Sequence, residues 1–592
     1  MSEREQNQSP FIDYHLICPM PRRHDATTPR VILLLVMLSC AFFSASNNAG
    51  KDVITWDAFG YYLYLPATFI HHDLDLSEDW ADGVYVTYEP SPSKYQLVEQ
   101  KDGKRTIKYS SGLAILYSPG FFVGHVIASV TTYPTDGFSK PYQKAMLWWV
   151  ILFNLLGIWL FYRFLEEEFN PLIALITCVL VVFGTNYLLT AYISILMPHG
   201  LLFTLYAALL RACQHFRDNP GIRSLLVLVS ILALMVLSRP TEIIAVLIPL
   251  FFTGKLIGNG SMLDRVRKRW WPAFLPLIIL GFLQMLYWKH TAGSWLYLSY
   301  DNPAEGLDLA SPHLLDGLFS FRKGWLFWTP ISMVAISGWM FVRSHMKWGA
   351  LIFIVMNVWI ILSWSTWWYA ESFGHRAFVQ SYPVVFIGLA LVLKYTLENR
   401  SQVRIPILFL AVFFGALSLF KSWQFTHWIL PGDRITSDYY WATFFDLEPR
   451  IETKELLLVD RFTREPDPEV LEKNYQSTSI ETVEFHTDAY PFVYKQAYSE
   501  LTSRDHFMVK ITGYDISRSM EDQFHFDLCV VSKGRICSFS SHQILGRDTI
   551  VLLSPEVRYP SSDTILLQMV NTSEEPMIDQ ALKLEFFERI RN

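Results

Sequence analysis

The chain has 592 residues, of which 51% are apolar, 16% aromatic and 18% charged, and its mean hydropathy is +0.23. A typical soluble domain carries about a quarter charged residues, so a string of soluble domains is excluded, and so is disorder. Charge also divides the chain: residues 422–592 hold 28 Asp and Glu against 17 Lys and Arg, a net of −11, whereas residues 1–421 carry a net of +5. No basic stripe interleaved with aromatic residues is present, which disfavours nucleic acid as a partner.

Apolar stretches of about 17–22 residues bounded by charge read as bilayer-spanning helices, because ~20 residues at 1.5 Å rise cross ~30 Å of hydrocarbon. Eleven are found, near 31–48, 143–163, 171–189, 196–212, 223–238, 241–256, 272–288, 325–342, 348–364, 378–395 and 404–421. Residues 1–30 form a polar tail, and a retained signal anchor fits the first stretch better than a cleaved signal peptide. Segment 113–130 is also apolar, but counting it as a span would invert everything after it. Leaving it at the membrane surface, broken at Pro119-Gly120, gathers the basic loops around Arg211, Arg265–Arg269, Arg343 and Arg400 on the side of the Arg22/Arg23/Arg30 tail. That is the positive-inside arrangement. The expected topology is a multi-pass protein of the inner (plasma) membrane with a cytoplasmic N-terminus and a large first outer loop, 49–142.

Within that loop, KDVITWDAFGYYLYLP places Asp52 and Asp57 ahead of Tyr61 and Tyr62, and YQLVEQKDGKRTIKY reads as a hairpin turning at Asp-Gly. Residues 422–592 contain no spanning run. Short alternating segments such as 507–511, 525–531, 549–553 and 564–570 predict an extracytoplasmic antiparallel β-sandwich. A three-residue hairpin loop at 532–534 would set Cys529 opposite Cys537, where a disulfide or two buried thiols are both consistent.

With this topology the polar residues at span ends collect on the outer face: Asp52, Asp57, His199, Arg239, Glu242, Arg322, Lys323, Glu371, His375 and Arg376. Each alone reads equally as a helix cap or a snorkelling cation; their convergence suits a cavity holding a charged headgroup. A metal is not favoured, because the histidines lack His-x₃-His spacing and no Cys pair accompanies them.

The acid-then-tyrosine pattern Asp57-Ala-Phe-Gly-Tyr61-Tyr62 in the first outer loop resembles the GT-C superfamily of polyprenyl-phosphate-dependent glycosyltransferases. The order of elements is similar, as are FGTNYLLTAYISILMPHG (183–200), SRPTE (238–242), RKGWLFWTP (322–330) and WWYAESFGHRAFVQSYP (367–383). These resemble the protein-mannosyltransferase and lipid A aminoarabinose-transferase type over about 30–420, although the paired Asp-Glu of several such families is absent. The resemblance implies a GT-C-like membrane domain, 31–421. It implies inverting transfer of a sugar from a polyprenyl-phosphate donor to a glycan, lipid or protein acceptor outside the cytoplasm.

Such a reaction needs a base for the acceptor hydroxyl and cations for the departing phosphate. Asp57 is the expected base, with Asp52 next and a helix cap as the structural alternative. Arg376 is expected on the donor phosphate through its bidentate fork, with Lys323, Arg322 and Arg239 behind it. Tyr61, Tyr62, His199, Glu371 and His375 are expected around the substrate. A transporter or lipid flippase, and a non-catalytic scaffold binding a partner through its β-domain, are the alternatives. The former should show mid-span charges and repeat symmetry, and neither is visible.

Overall fold

The computed structural model describes residues 26–592 except 92–93, 258–269, 301–305, 343–344, 399–403, 451–452, 454–455, 459–474, 486–491, 499–506, 513–523, 533–534, 544–548, 555–562, 572–579 and 590–592. The predicted basic cluster Arg265–Arg269 and the Arg22/Arg23 tail lie outside these. Two compact units are present, Met1–Asp433 and Arg434–Asn592. The first is helical. The second carries the two four-stranded sheets.

Each of the eleven predicted stretches falls on helix. Thr27–Asn47 (α1) is followed by the outer-loop helices Trp56–Tyr62 (α2), Tyr64–Phe69 (α3) and Trp80–Tyr88 (α4), and by a two-stranded hairpin, Leu97–Glu99 (β1) and Arg105–Ile107 (β2). Then come Gly112–Ser129 (α5), Lys140–Glu168 (α6), Pro171–Phe183 (α7), Tyr187–Tyr192 (α8), Pro198–Asp218 (α9), Ile222–Ser238 (α10) and Leu247–Ile257 (α11). Leu275–Thr291 (α12), Ile331–Gly338 (α13), His345–Leu362 (α14), Ile387–Glu398 (α15) and Arg404–Thr426 (α16) complete the unit. Helix α16 carries it past the predicted boundary at 421. Among the described residues five helices are long and apolar enough to cross a membrane, and a sixth if the bent pair at 376–397 is one span; α5, the segment expected at the membrane surface, is one of the five, whereas six of the eleven predicted spans match neither the five nor the bent pair. Several of the others are cut short by local chemistry. Helix α7, for instance, starts at Pro171 under an Asn170 cap that accepts from Ile173 N at 2.9 Å, and stops at Gly184.

The polar ties sort to two ends. At one, Arg30 and Arg163 hold Glu166 at 3.0 and 2.7 Å, Arg217 holds Glu168 at 2.8 Å, and Gln214 donates to Glu168 at 2.6 Å, fastening α1, α6 and α9. At the other, Ser44 and Asn48 donate to the Tyr192 carbonyl at 2.8 and 3.0 Å. There Gln143 Oε1 also accepts from Val53 N and Ile54 N at 2.8 and 3.0 Å, pinning the first outer loop.

Segment 112–129 corrects one expectation: it is a single helix that runs through Pro119 without breaking. The proline cannot donate to the Ile115 carbonyl, and the Ser118 hydroxyl donates there instead at 2.8 Å. Helix α5 packs on α6 through residues 142–149. Trp149 Nε1 donates to Leu116 O at 2.7 Å, and a Cβ on Gly124 would sit 2.7 Å from Tyr142 Cα. Its first residue, Gly112, abuts the Ser238 backbone at the end of α10.

In the second unit the strands are Tyr475–Phe485 (β3), Phe492–Tyr498 (β4), Phe507–Thr512 (β5), Phe524–Ser532 (β6), Arg535–Gln543 (β7), Thr549–Leu553 (β8), Asp563–Asn571 (β9) and Gln580–Arg589 (β10). They form two four-stranded sheets, β3-β10-β5-β8 and β4-β9-β6-β7. First pairs with last and second with second-last, which is the wrapping order of a jelly roll. Phe526, Leu528, Val530, Ile565 and Leu567 are buried on one sheet, and Val509, Ile511, Leu552, Leu584 and Phe586 on the other. The hairpin register differs from expectation. Ser532 pairs with Arg535 across a two-residue connection, Cys529 faces Phe539, and Cys537 is the extra residue where the register shifts.

Candidate active site

Helix α2 begins at Trp56, so Asp57 lies in its first turn rather than at its cap, which is Thr55. The Asp57 carboxylate is half-buried. It accepts the phenol hydroxyls of Tyr95 at 2.7 Å and Tyr109 at 2.8 Å, both on Oδ1. Oδ2 has no hydrogen-bond partner among the described residues. Gly60 lets the Tyr109 ring approach, since a Cβ there would lie 2.5 Å from Tyr109 Cε2, and Tyr61 stacks on the same ring at 4.2 Å. Burial pushes the Tyr61 phenol above its usual range; Arg239 and Arg376 pull it down and Asp57 pushes it further up, so these three charges converge on one hydroxyl.

Arg376 begins the short helix Arg376–Ser381 after the loop that follows α14. It is half-buried, Asp57 and Arg239 act on it electrostatically, and it makes no hydrogen bond or ion pair among the described residues. A buried Nε without an acceptor costs free energy. Both loops that carry these charges are strained. Trp56, Tyr369 and Ala370 each have φ of +53°, a left-handed conformation that non-glycine residues seldom adopt. Trp56 is held there by Trp56 N donating to Pro90 O at 2.9 Å and by Gln96 Nε2 donating to Trp56 O at 3.1 Å. Strain of this kind clusters where function over-determines the backbone.

Arg239 closes α10 and lies over the Tyr369 ring, 5.9 Å from its centroid, while its Nη1 donates to Gln380 Oε1 at 3.2 Å. Gln380 is the hub of a buried chain. Its Oε1 also meets His199 Nδ1 at 3.1 Å, its amide donates to Glu242, and Tyr206 donates to the other Glu242 oxygen at 2.6 Å. His199 is thus a buried strut behind Arg239.

The remaining sequence candidates sit elsewhere in the network. Tyr62 points into the core against Phe121 and Phe138 and donates to Gly137 O at 2.6 Å. Lys323 is fully buried and donates to the Ser372 carbonyl and, at 2.9 Å, to its hydroxyl. Burial drives its ammonium well below its usual range, against the opposing pull of Asp433. Arg322 lies 4.1 Å from the Trp368 ring centroid and donates to Asp433 O at 2.7 Å. Asp52 is exposed, and so is Glu371, whose Cβ packs on Gly432. His375 is fully buried, neither ring nitrogen makes a hydrogen bond among the described residues, and burial, aided by Lys323, pushes it down to about 3. Among the described residues no three His, Cys, Asp or Glu side chains gather as a metal would require.

Sequence reasoning passed over Tyr95, Tyr109 and Gln380. The first two had a signal: they are the end residues of the segment YQLVEQKDGKRTIKY, placed symmetrically about Asp102. Gln380 had none, being one amide in an apolar stretch.

No protein-family model matches the chain, and no curated protein matches it. Among solved structures it is similar to the crystal structure of ArnT from Cupriavidus metallidurans in the apo state, at 13% identity and a TM-score of 0.36, over 64% of this chain and 61% of that one. The chain spans about three fifths of that protein's length.

Proposed function

We propose that this membrane protein is a glycosyltransferase of GT-C type that moves a sugar from a polyprenyl-phosphate donor to an acceptor on the extracytoplasmic side. The observation that carries this reading is that, among the described residues, Asp57 Oδ2 accepts no hydrogen bond and the nearby Arg376 guanidinium, which feels the Asp57 charge, makes no hydrogen bond or ion pair. A half-buried cation that no anion among the described residues binds directly suits a ligand that brings one, and a lipid phosphate at the membrane surface is such a ligand.

In the reaction, the acceptor hydroxyl oxygen attacks the anomeric carbon while Asp57 Oδ2 takes its proton. The bond from that carbon to the phosphate oxygen breaks on the opposite face, inverting the centre. The polyprenyl phosphate leaves with the electron pair, its charge met by Arg376 with Arg239 behind it. No metal is invoked. The ion-paired end bearing Arg30, Arg163 and Arg217 then faces the cytoplasm, in keeping with the positive-inside rule.

The test is transfer by purified protein from a polyprenyl-phosphate sugar. Asp57→Asn keeps size and hydrogen-bonding capacity but cannot take a proton, so turnover should fall about 10²–10⁴-fold with donor binding kept. Arg376→Ala should raise the donor KM instead, by about 30-fold or more if the site is desolvated. Wild-type turnover in both variants would overturn the reading. Donor lipid crossing the bilayer with its sugar still attached would favour a flippase.

A further inference from the structure

We infer that Tyr95 and Tyr109, which flank the open end of the β1-β2 hairpin, are positioning residues that orient the Asp57 carboxylate; this rests on Asp57 being the base. The hairpin register pairs Leu97 with Ile107, Val98 with Thr106 and Glu99 with Arg105. Lys108 N donates to Gln96 O at 2.9 Å, continuing that register by one step. Tyr95 lies in the turn that enters β1, where Leu97 N donates to Lys94 O at 2.9 Å, and Tyr109 lies two residues past the end of β2, so the two tyrosines flank the open end of the hairpin. From there both phenols converge on the same atom, Asp57 Oδ1.

This convergence has a chemical consequence. A carboxylate on a short helix turns freely about its last torsion, which is broad and roughly two-fold. Two donors on one oxygen fix that torsion and leave the other oxygen facing outward as the proton acceptor. Had each phenol taken a different oxygen, both oxygens would have carried a hydrogen bond and neither would have been left fully open to the acceptor hydroxyl.

The hairpin is anchored as such a device requires. Arg105 forks onto Asp82 at 2.9 and 2.8 Å, Ile107 N donates to Tyr287 OH at 2.8 Å, and Tyr64 OH donates to Tyr109 O at 2.7 Å. Burial alone would raise the Asp82 carboxyl; the Arg105 and Lys94 bonds more than offset it and hold it below the usual carboxylate range, so the fork stays ionic. Gln96 ties the same hairpin to the strained Trp56 peptide beside Asp57, and Tyr85 OH holds Gln96 Oε1 at 2.8 Å. Gly60 completes the arrangement by clearing space for the Tyr109 ring.

The experiment measures kcat and donor KM for Tyr95→Phe, Tyr109→Phe and the double variant in the full-length protein. Phe keeps the rings and their stacking and removes only the hydroxyls. Each single variant should lose about tenfold in kcat and the double about 10²-fold, the cost of misplacing a reacting group by about 1 Å, while donor KM stays within about twofold because Arg376 is untouched. Gly60→Ala, which displaces the Tyr109 ring without altering a hydroxyl, should show the same split. A double variant with wild-type kcat overturns the positioning role, and so does a parallel change in KM and kcat. Wild-type protein that fails to transfer from any polyprenyl-phosphate sugar overturns instead the functional reading on which this rests.

Discussion

A neutral imidazole sealed among Tyr369, Phe378 and Lys323 makes His375 a pH-dependent element of stability. Its folded value of about 3 lies below the unfolded value near 6.5, so the unfolded state takes up the proton first. Above pH 6.5 the group contributes nothing to pH dependence. As the pH falls from 6.5 toward 3 it destabilises the fold, by about 2 kcal/mol at pH 5. His375→Gln, which does not titrate, should reduce the drop in thermal midpoint between pH 7 and pH 5; an unchanged drop would show the imidazole to be solvated. The same residue-by-residue logic separates Tyr61 from Tyr62. Identical letters one position apart are rotated by about 100° on a helix, so one phenol joins the charged site and the other the core. The sequence had placed both at the substrate. Arg322 and Lys323 divide from Arg376 by their contacts: the first two find protein partners in Asp433 and Ser372, and the third makes no hydrogen bond among the described residues.

Among the elements, the close approach of α13 and α15 depends on glycine. A Cβ on Gly388 would lie 1.9 Å from Ala335 O, and one on Gly338 would lie 1.9 Å from Gly388 O. Small residues at such contacts let backbones meet where lipid offers no hydrophobic drive. Gly388→Ala should therefore destabilise the detergent-solubilised protein by about 1–3 kcal/mol. Gly281→Ala, with nothing within 4 Å of its Cβ position in α12, should stabilise slightly, since alanine favours helix over glycine by about 1 kcal/mol. Equal thermal midpoints for the two would mean the helices are not packed this closely. The hairpin β1-β2 was legible from its Asp-Gly turn, whereas the continuity of α5 was not. It depends on one serine hydroxyl replacing the donor that Pro119 lacks.

For the whole molecule, the segregation of charge makes a directional statement. Arg30, Arg163, Arg211 and Arg217 are ion-paired at one end, and Asp57, Arg239 and Arg376 gather at the other. If the basic end is cytoplasmic, reporter fusions near residue 265 should be active only as a cytoplasmic reporter, and fusions at the C-terminus only as an extracytoplasmic one. Phosphatase activity near 265 with none at the C-terminus would reverse the molecule and move the site to the wrong side for a lipid-linked donor.

The sequence by itself determined that the chain is apolar enough for a membrane, where its helices lie, that its C-terminal part is β-rich, and that acids and cations collect near one set of helix ends. These follow from local composition and periodicity, which need no knowledge of neighbours. Only the tertiary structure decided which of those charged residues are satisfied. Whether Lys323 meets a carbonyl, whether Gln380 joins Arg239 to Glu242, and whether two tyrosines fourteen positions apart share one carboxylate oxygen all depend on contacts between distant segments. The jelly-roll order is of the same kind, because alternating residues specify a strand but not which strand lies beside it.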